Sequence, residues 1–415
     1  MIYEFKLLLL ISFTVILGFI SSLIYGKTKI PDIIWLLIFG LILGPITHTY
    51  SPELYIKLST IMSIIALCII LFDAGINIDI KFLAESFPKS ILLIATTYPL
   101  TVIIIGLTLT LICPEKFDLL KGLLLGGMIG GTSTVSTLGI LGSFRGKESI
   151  LGRVKNTLLL ESILTDPIGI IFCITIIKLI ILSKISFFTV LENLFILFTS
   201  SILLGYAFGF LWAMILDKLS GRPLTYIITL AVTFLVYIFS EEFLGEGSGA
   251  LAVFMYSLAI ANFQYILGIT GTKRRIKIDL AQLRNFHMEI TFLIKSFFFV
   301  YIGLIASISF NQVFIGILVV ILILIVRFFS ALITSKIFGF NKFERLIMQS
   351  ICASGLPALV MSQLPLIYDP NKIYFPYPEI FSNICLIIIF GTVLYGSIAT
   401  SIIIGRKLQV TPQID

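Results

Sequence analysis

The sequence predicts an all-α polytopic membrane protein of about 13 transmembrane helices, and three observations predict it. Of its 415 residues, 58% are hydrophobic and 12% charged, whereas soluble domains carry roughly 25% charged and 45–50% apolar residues. The apolar residues fall into runs of the ~20 residues that cross a ~30 Å hydrocarbon layer. Lys and Arg alternate between successive loops with a consistent parity. The same composition excludes disorder, a disulfide scaffold and a coiled coil.

The elements follow in chain order. The first run, 7–25, ends before Lys27 and Lys29; no small-x-small cleavage site follows it, so it reads as a helix and not a signal peptide. Runs 31–47 and 56–76 come next, the second closed by Lys81 and Lys89. Helix 4 (90–112) and helix 5 (119–141) are parted by the stretch around Lys116, and helix 6 (157–181) is entered through Arg145, Lys147, Arg153 and Lys155. Helix 7 (187–217) stops at Lys218 and Arg222, before helices 8 (224–240) and 9 (247–265). The longest loop, 266–287, carries five basic residues from Lys273 to Arg284 and has room for a short amphipathic segment. Helices 10 to 13 span 288–308, 312–335, 344–367 and 380–404.

Loop charge tests this order. Loops after odd-numbered helices, with the C-terminal tail, hold 20 of the 29 Lys and Arg; the opposite set holds 7, and Lys295 and Arg327 lie inside helices. The positive-inside rule then puts the N-terminus outside and the C-terminus in the cytoplasm. A helix missed in mid-chain would scramble the parity. The net charge of +7 is therefore a topology signal spread over many loops and does not indicate nucleic acid. Cys68, Cys113, Cys173, Cys352 and Cys385 are scattered without CxxC spacing, and His48 and His287 are the only histidines, so no disulfide framework or zinc site is indicated. Neither a Walker loop nor a dinucleotide fingerprint occurs, and no cofactor is expected.

A faint repeat runs through the chain. Helix 3 ends Phe72-Asp73-Ala74-Gly75, and helix 10 carries Phe299-Val300-Tyr301-Ile302-Gly303. Helix 5 is interrupted by Gly126, Gly127, Gly130, Gly131, Thr132 and Ser133, and helix 12 by Ser354, Gly355 and Pro357. These pairs match if helices 1–6 repeat as 8–13 with helix 7 as linker, an odd offset that inverts the second unit. Paired interrupted helices in inverted halves point to a transporter's binding site.

The chemistry lies in ionisable residues within the apolar runs, each of which costs at least ~2.5–3.5 kcal/mol at mid-helix unless partnered or hydrated. Helix 6 reads Glu161-Ser162-Ile163-Leu164-Thr165-Asp166-Pro167. Counted from residue 157, Asp166 lies roughly 14 Å deep and Glu161 roughly 6 Å. Ser162 shares a face with Asp166, and Glu161 with Thr165. Pro167 lacks a backbone donor and is expected to disturb the turn below it, freeing carbonyl oxygen. Arg327, on an inward-running helix 11, matches Glu161 in depth, and a buried pair would neutralise both. Asp166 would then be the uncompensated acid, neutralised by either a proton or a small cation and never both. Helix 5 adds the block Gly130-Gly131-Thr132-Ser133-Thr134-Val135-Ser136-Thr137, whose glycines and hydroxyls favour local unwinding. A small-residue packing face is the plainer reading of such a segment, but packing needs small residues at spacing four and not a contiguous polar block.

At these residues the chain resembles the monovalent cation:proton antiporter superfamily, nearest its NhaP-like sodium/proton branch, whose signature is Glu-Ser-x-x-Asn-Asp-Pro. The likeness also takes in Ile30-Pro31, Gly40 to Pro45, Phe72-Asp73-Ala74-Gly75, the broken fifth helix, Arg327, and Glu344-Arg345 with Ser354 to Pro357. The resemblance implies two inverted six-helix repeats joined by a linker helix, a dimerising scaffold and a mobile core. On that scheme residues 1–86 (helices 1–3) and 222–311 (helices 8–10) are scaffold, and 187–221 is the linker. Residues 87–186 (helices 4–6) and 312–415 (helices 11–13 with the cytoplasmic tail) are core. It further implies exchange of a monovalent cation, Na⁺ or else Li⁺/K⁺, for H⁺ at Asp166 in the cell membrane by a homodimer embedded in lipid. Glu161, Ser162 and a Thr132 oxygen are its neighbours, Asp166 and Ser162 ligate the transported Na⁺, and Arg327 is the family's buried base.

Three departures stand out. Thr165 replaces the family's Asn or Asp, Ser133 replaces the usual Asp after the helix 5 Thr, and Lys295 has no counterpart. Lys295 is open to snorkelling, to pairing with Asp73 or to titration during transport. A single exchanging carboxylate favours electroneutral, one-for-one exchange. Alternatives are a K⁺/H⁺ antiporter and a sodium-coupled anion symporter of similar build. An intramembrane aspartyl protease using Asp73 and Asp166 lacks the Gly-x-Gly-Asp motif, and a sensor lacks a sizeable soluble domain.

Overall fold

The computed structural model describes residues 2–28, 32–47, 53–141, 148–182, 187–222, 224–245, 247–269, 277–307 and 309–410. Ile30, Pro31, His48 and the basic loop residues Lys29, Arg145, Lys147, Lys273, Arg274 and Arg275 lie outside the described residues. Among the described residues the regular elements are all helical. They are α1 (Ile2–Thr28), α2 (Asp32–Leu41), a π-turn (Ile42–Ile46), α3 (Glu53–Ile76), α4 (Ile80–Ile112), α5 (Leu119–Ile129), α6 (Thr134–Leu141), α7 (Glu148–Leu182) and α8 (Phe187–Lys218). There follow α9 (Thr225–Leu244), α10 (Ser248–Ala261), α11 (Phe263–Ile269), α12 (Leu280–Ile305), α13 (Phe310–Ile337), α14 (Lys342–Ser350), α15 (Leu356–Tyr368) and α16 (Glu379–Val410).

Among the described residues, eight helices (α1, α4, α7, α8, α9, α12, α13 and α16) are long and apolar enough to cross a membrane. A ninth span arises if α10 and α11, bent by 71° at Asn262, count as one. Large apolar side chains such as Phe19, Leu203, Leu235 and Phe314 lie exposed along these helices, as expected of surfaces solvated by lipid. The chain is a polytopic all-α membrane protein.

Several helices outrun their apolar cores. α4 begins at Ile80 where the apolar run begins near 90, α7 at Glu148 where it begins near 157, and α12 at Leu280 where it begins near 288. Hydropathy marks the length that lipid requires, while backbone hydrogen bonding carries the helix on into polar surroundings. The loop expected over 266–287 is shortened accordingly. α7 also runs through Pro167 without a break, although the proline brings no N–H to the Ile163 carbonyl.

The chain forms two compact units. The first comprises Met1–Thr60, Glu85–Gly169 and Ser296–Asp415; the second comprises Ile61–Ala84 and Ile170–Lys295. In the second, α8 and α10 are in backbone contact: a Cβ on Gly205 would come within 2.8 Å of the Ala252 Cα. Small residues allow such approach where helices associate in lipid. Asn262, at the α10–α11 bend, donates to the Ile78 carbonyl and accepts from the Ile80 N–H, both at 2.9 Å, which ties down the turn after α3.

In the first unit α2 crosses α12 at Gly40 and Gly303, where either Cβ would lie within 3 Å of the facing Cα. Beyond the crossing, Pro45 has no N–H to return to the α-ladder, and the chain widens into the π-turn, closed by Thr47 N–H to Ile42 O at 3.0 Å.

The turn after α15 is organised by Asp369, whose carboxylate accepts from the N–H groups of Ile373, Tyr374 and Phe375 at 3.0, 2.7 and 2.8 Å. Burial acts to raise this carboxyl, but the three donors prevail and hold it below the usual carboxylate range. The sign follows: a lowered folded value stabilises fully above the usual carboxylate range, and that contribution is lost as pH falls through the folded value. Asp369→Asn should lower thermal stability at neutral pH, by roughly 1–2 kcal/mol for charge-assisted bonds, and the gap from wild type should close under acid. A gap independent of pH in melts of the purified protein would count against this.

Candidate functional site

Two interruptions meet in the first unit. α5 and α6 are separated by the non-helical residues 130–133, and α14 and α15 by 351–355. The breaks satisfy each other's backbone. Ser133 N–H donates to Ala353 O at 2.9 Å, Ser136 Oγ to Ser354 O at 3.2 Å, and Ser354 Oγ to Ile129 O at 3.3 Å. Ser354 N–H is taken by Thr392 of α16 at 3.2 Å. Non-helical backbone at membrane depth persists only with such partners. Gly355 faces Ser133 so closely that a Cβ there would overlap the serine side chain.

α7 lies against this crossing. A Cβ on Gly131 would touch the Thr165 side chain at 3.0 Å. Thr165 Oγ1 accepts from Thr132 N–H at 3.3 Å and donates to Ser162 O at 3.1 Å. Ser162 Oγ has three neighbours at 2.9 Å: Leu158 O, Thr132 Oγ1 and Thr137 Oγ1. The structure thus brings Ser162, Thr165, Thr132 and Ser133 together around the break.

Glu161 and Arg327 form a buried pair. Arg327 Nη2 donates to Glu161 Oε2 at 2.8 Å, and Nη1 to Oε1. The side chains are 1% and 0% exposed. Arg327 Nε donates to Met348 O at 2.7 Å, one of the carbonyls that the end of α14 leaves without a helical partner. Both oxygens of Glu161 are thereby engaged, and the charges cancel.

Asp166 differs. It lies one residue from the midpoint of α7, is 5% exposed, and among the described residues no hydrogen bond or ion pair reaches its carboxylate. An acid so placed is a candidate functional group. Among the described residues no group of three or more His, Cys, Asp or Glu side chains is placed to hold a metal ion.

Asp73 and Lys295 belong to the second unit. Asp73 Oδ1 accepts from Asn77 at 3.2 Å and lies within electrostatic reach of Lys295. The sequence places Thr137 among the hydroxyls that favour unwinding but gives it no partner, and it singles out none of Met348 O, Ala353 O and Thr392. On an unbroken helix Thr132 and Thr137 point about 140° apart; the break brings both to Ser162, and no periodicity shows that in advance.

Comparison with known proteins adds to this geometry. The family profile described as "Sodium/hydrogen exchanger, transmembrane" matches residues 10–406. The chain is 27% identical over 297 residues to a protein of Methanocaldococcus jannaschii named "Probable Na(+)/H(+) antiporter 2", covering 70% of this chain and 67% of that one. It is also 27% identical over 269 residues to "K(+)/H(+) antiporter NhaP" of Alkalimonas amylolytica, covering 61% of this chain and 44% of that one. Its fold is similar to that of the sodium proton antiporter MjNhaP1 from Methanocaldococcus jannaschii at pH 8, with a TM-score of 0.79, 21% identity, and coverage of 96% of this chain and 99% of that one.

Proposed function

This chain belongs to the sodium/hydrogen exchanger family of membrane antiporters, which are not enzymes, and from that premise we propose that it exchanges Na⁺ for H⁺ at Asp166. The observation that carries the reading is a buried carboxylate with no partner among the described residues, on the helix whose Ser162 and Thr165 bond the break at Thr132. A proton or a dehydrated alkali ion neutralises Asp166, each excluding the other, so the site leaves each side of the membrane occupied. Thr132 and Ser162 are the nearby oxygens for the cation. Glu161 and Arg327 hold the broken α14 against α7, with Thr165 and Ser133 bracing the break.

In the proposed architecture α5–α6, α10–α11 and α14–α15 each form one interrupted crossing, which makes thirteen in two inverted repeats joined by α8. Core residues 87–186 and 312–415 move against the scaffold, 1–86 and 222–311, in a homodimer of the cell membrane. The N-terminus is outside and the C-terminus cytoplasmic. One acid carries one charge either way, so exchange is electroneutral, one ion for one proton; Lys295 and Asp73 stay outside the exchange step.

The full chain in proteoliposomes with an imposed proton gradient and an internal pH dye tests this. NaCl and LiCl should collapse the gradient, choline chloride should not, and clamping the membrane potential should leave the rate unchanged. A relative named for K⁺/H⁺ exchange supports K⁺ as the second reading, and collapse with KCl alone would establish it. No response to any alkali cation would overturn the function.

A further inference from the structure

We propose that Thr137 is a specificity-determining residue of the exchange site, competing with the transported cation for the oxygen of Ser162. The proposal rests on the reading of Asp166 as the exchanging carboxylate and deepens it.

Ser162 Oγ has three polar neighbours, each at 2.9 Å: Leu158 O, Thr132 Oγ1 and Thr137 Oγ1. A carbonyl has no hydrogen to give, so the serine proton goes to Leu158. The two threonines are then the donors, because otherwise two oxygens face each other with no proton between them. A hydroxyl has one hydrogen and two lone pairs. All three positions on Ser162 are therefore filled, and its oxygen is closed to a cation while both threonines donate to it.

The threonine oxygens are in the opposite condition. Among the described residues each donates its hydrogen to Ser162 and accepts from no group, so both lone pairs of each remain open. Thr132, in the break, offers an oxygen to a cation without turning. Thr137 stands on the first turns of α6, fully buried. For Ser162 to join the cation shell, one threonine must withdraw its hydrogen, and Thr137 has an alternative acceptor. Its own N–H already bonds Ser133 O at 2.8 Å, and helical Ser and Thr hydroxyls donate to that same i−4 carbonyl. Thr137 thus has two bonded arrangements. In one it closes Ser162; in the other it turns back on α6 and opens Ser162 to the cation. The exchange of partners subtracts from cation affinity and leaves proton binding at Asp166 untouched.

The test compares the apparent KM and Vmax for Na⁺, or for whichever alkali ion the wild type carries, in proteoliposomes of wild type, Thr137→Val and Thr137→Ser at one pH. Valine keeps the shape and removes the hydroxyl. Thr137→Val should lower KM by roughly five-fold, the size of one neutral hydrogen bond, and Thr137→Ser should restore the wild-type value. A KM that stays the same or rises in Thr137→Val would overturn the proposal, a rise showing that Thr137 is itself a ligand. If valine disturbs packing in thermal melts, Thr137→Ala is read on the same criteria. A wild type that moves no protons in response to alkali cations defeats the parent reading instead, a failure visible before any variant is compared.

Discussion

Asp166→Asn should reduce cation-driven proton movement in proteoliposomes to the level of empty vesicles. Asparagine is nearly isosteric, keeps a carbonyl oxygen at the same place and cannot ionise. It can neither exchange a proton nor supply the negative charge that offsets cation dehydration. The substitution also has a predictable effect on stability. A charged acid at mid-membrane costs at least ~2.5–3.5 kcal/mol unless compensated, and Asp166 is 5% exposed with no partner among the described residues. The variant should therefore melt at or above the wild-type temperature. That combination, lost exchange with kept or raised stability, separates a transport role from a structural one. Exchange that survives in Asp166→Asn would refute the site, whereas a large drop in melting temperature would show the carboxylate to be scaffolding.

The second large effect concerns Glu161 and Arg327, and here the sign of the stability change reverses. Either charge alone in this environment is uncompensated, and breaking a buried pair by removing one partner costs about 3–5 kcal/mol. Glu161→Gln and Arg327→Met should each give poorly folded protein with a strongly lowered melting temperature. The double variant should recover most of the loss, since a buried pair replaced on both sides is often close to neutral. Recovery will be incomplete, because Met348 O loses the Arg327 Nε donor held at 2.7 Å. A double-mutant cycle in detergent melts reads the coupling directly; simple additivity of the two single losses would show that the pair contributes nothing as a pair.

The two experiments separate two acids five residues apart on one helix. Glu161 and Asp166 both stand out in the sequence as charges in an apolar run at the cation and proton site, and matched depth with Arg327 already marks Glu161 as the acid to be paired and Asp166 as the one left over. The structure distinguishes them by their neighbours: Glu161 has both oxygens on Arg327, and Asp166 has none of its own so occupied. α7 begins at Glu148 and not near 157, and Asp166 falls one residue from its midpoint.

The glycine and hydroxyl block of helix 5 and the Ser-Gly-x-Pro of helix 12 were legible as breaks because the reason is local: few side chains there favour an unbroken helix. Their closing on each other, Ser133 to Ala353 and Ser354 to Ile129, was not legible. Nor was the meeting of Thr132 and Thr137 at one serine.

The sequence by itself determined the solvent of this protein, the places where its helices give way, and a stretch of helix that carries two acids within an apolar run. Those are properties of composition and of spacing along one chain, and water, hydrocarbon and the helical repeat act on them directly. Only the tertiary structure decided which hydroxyls are spent on one another and which carbonyls close the two breaks, whereas the Glu161–Arg327 pair expected from matched depth is found as such. Those outcomes depend on groups such as Ser354 and Ile129, which stand 225 positions apart in the chain and bond only after folding. Desolvation makes every unpaired polar group in such a core costly, so the pairing that folding permits is what assigns the chemistry.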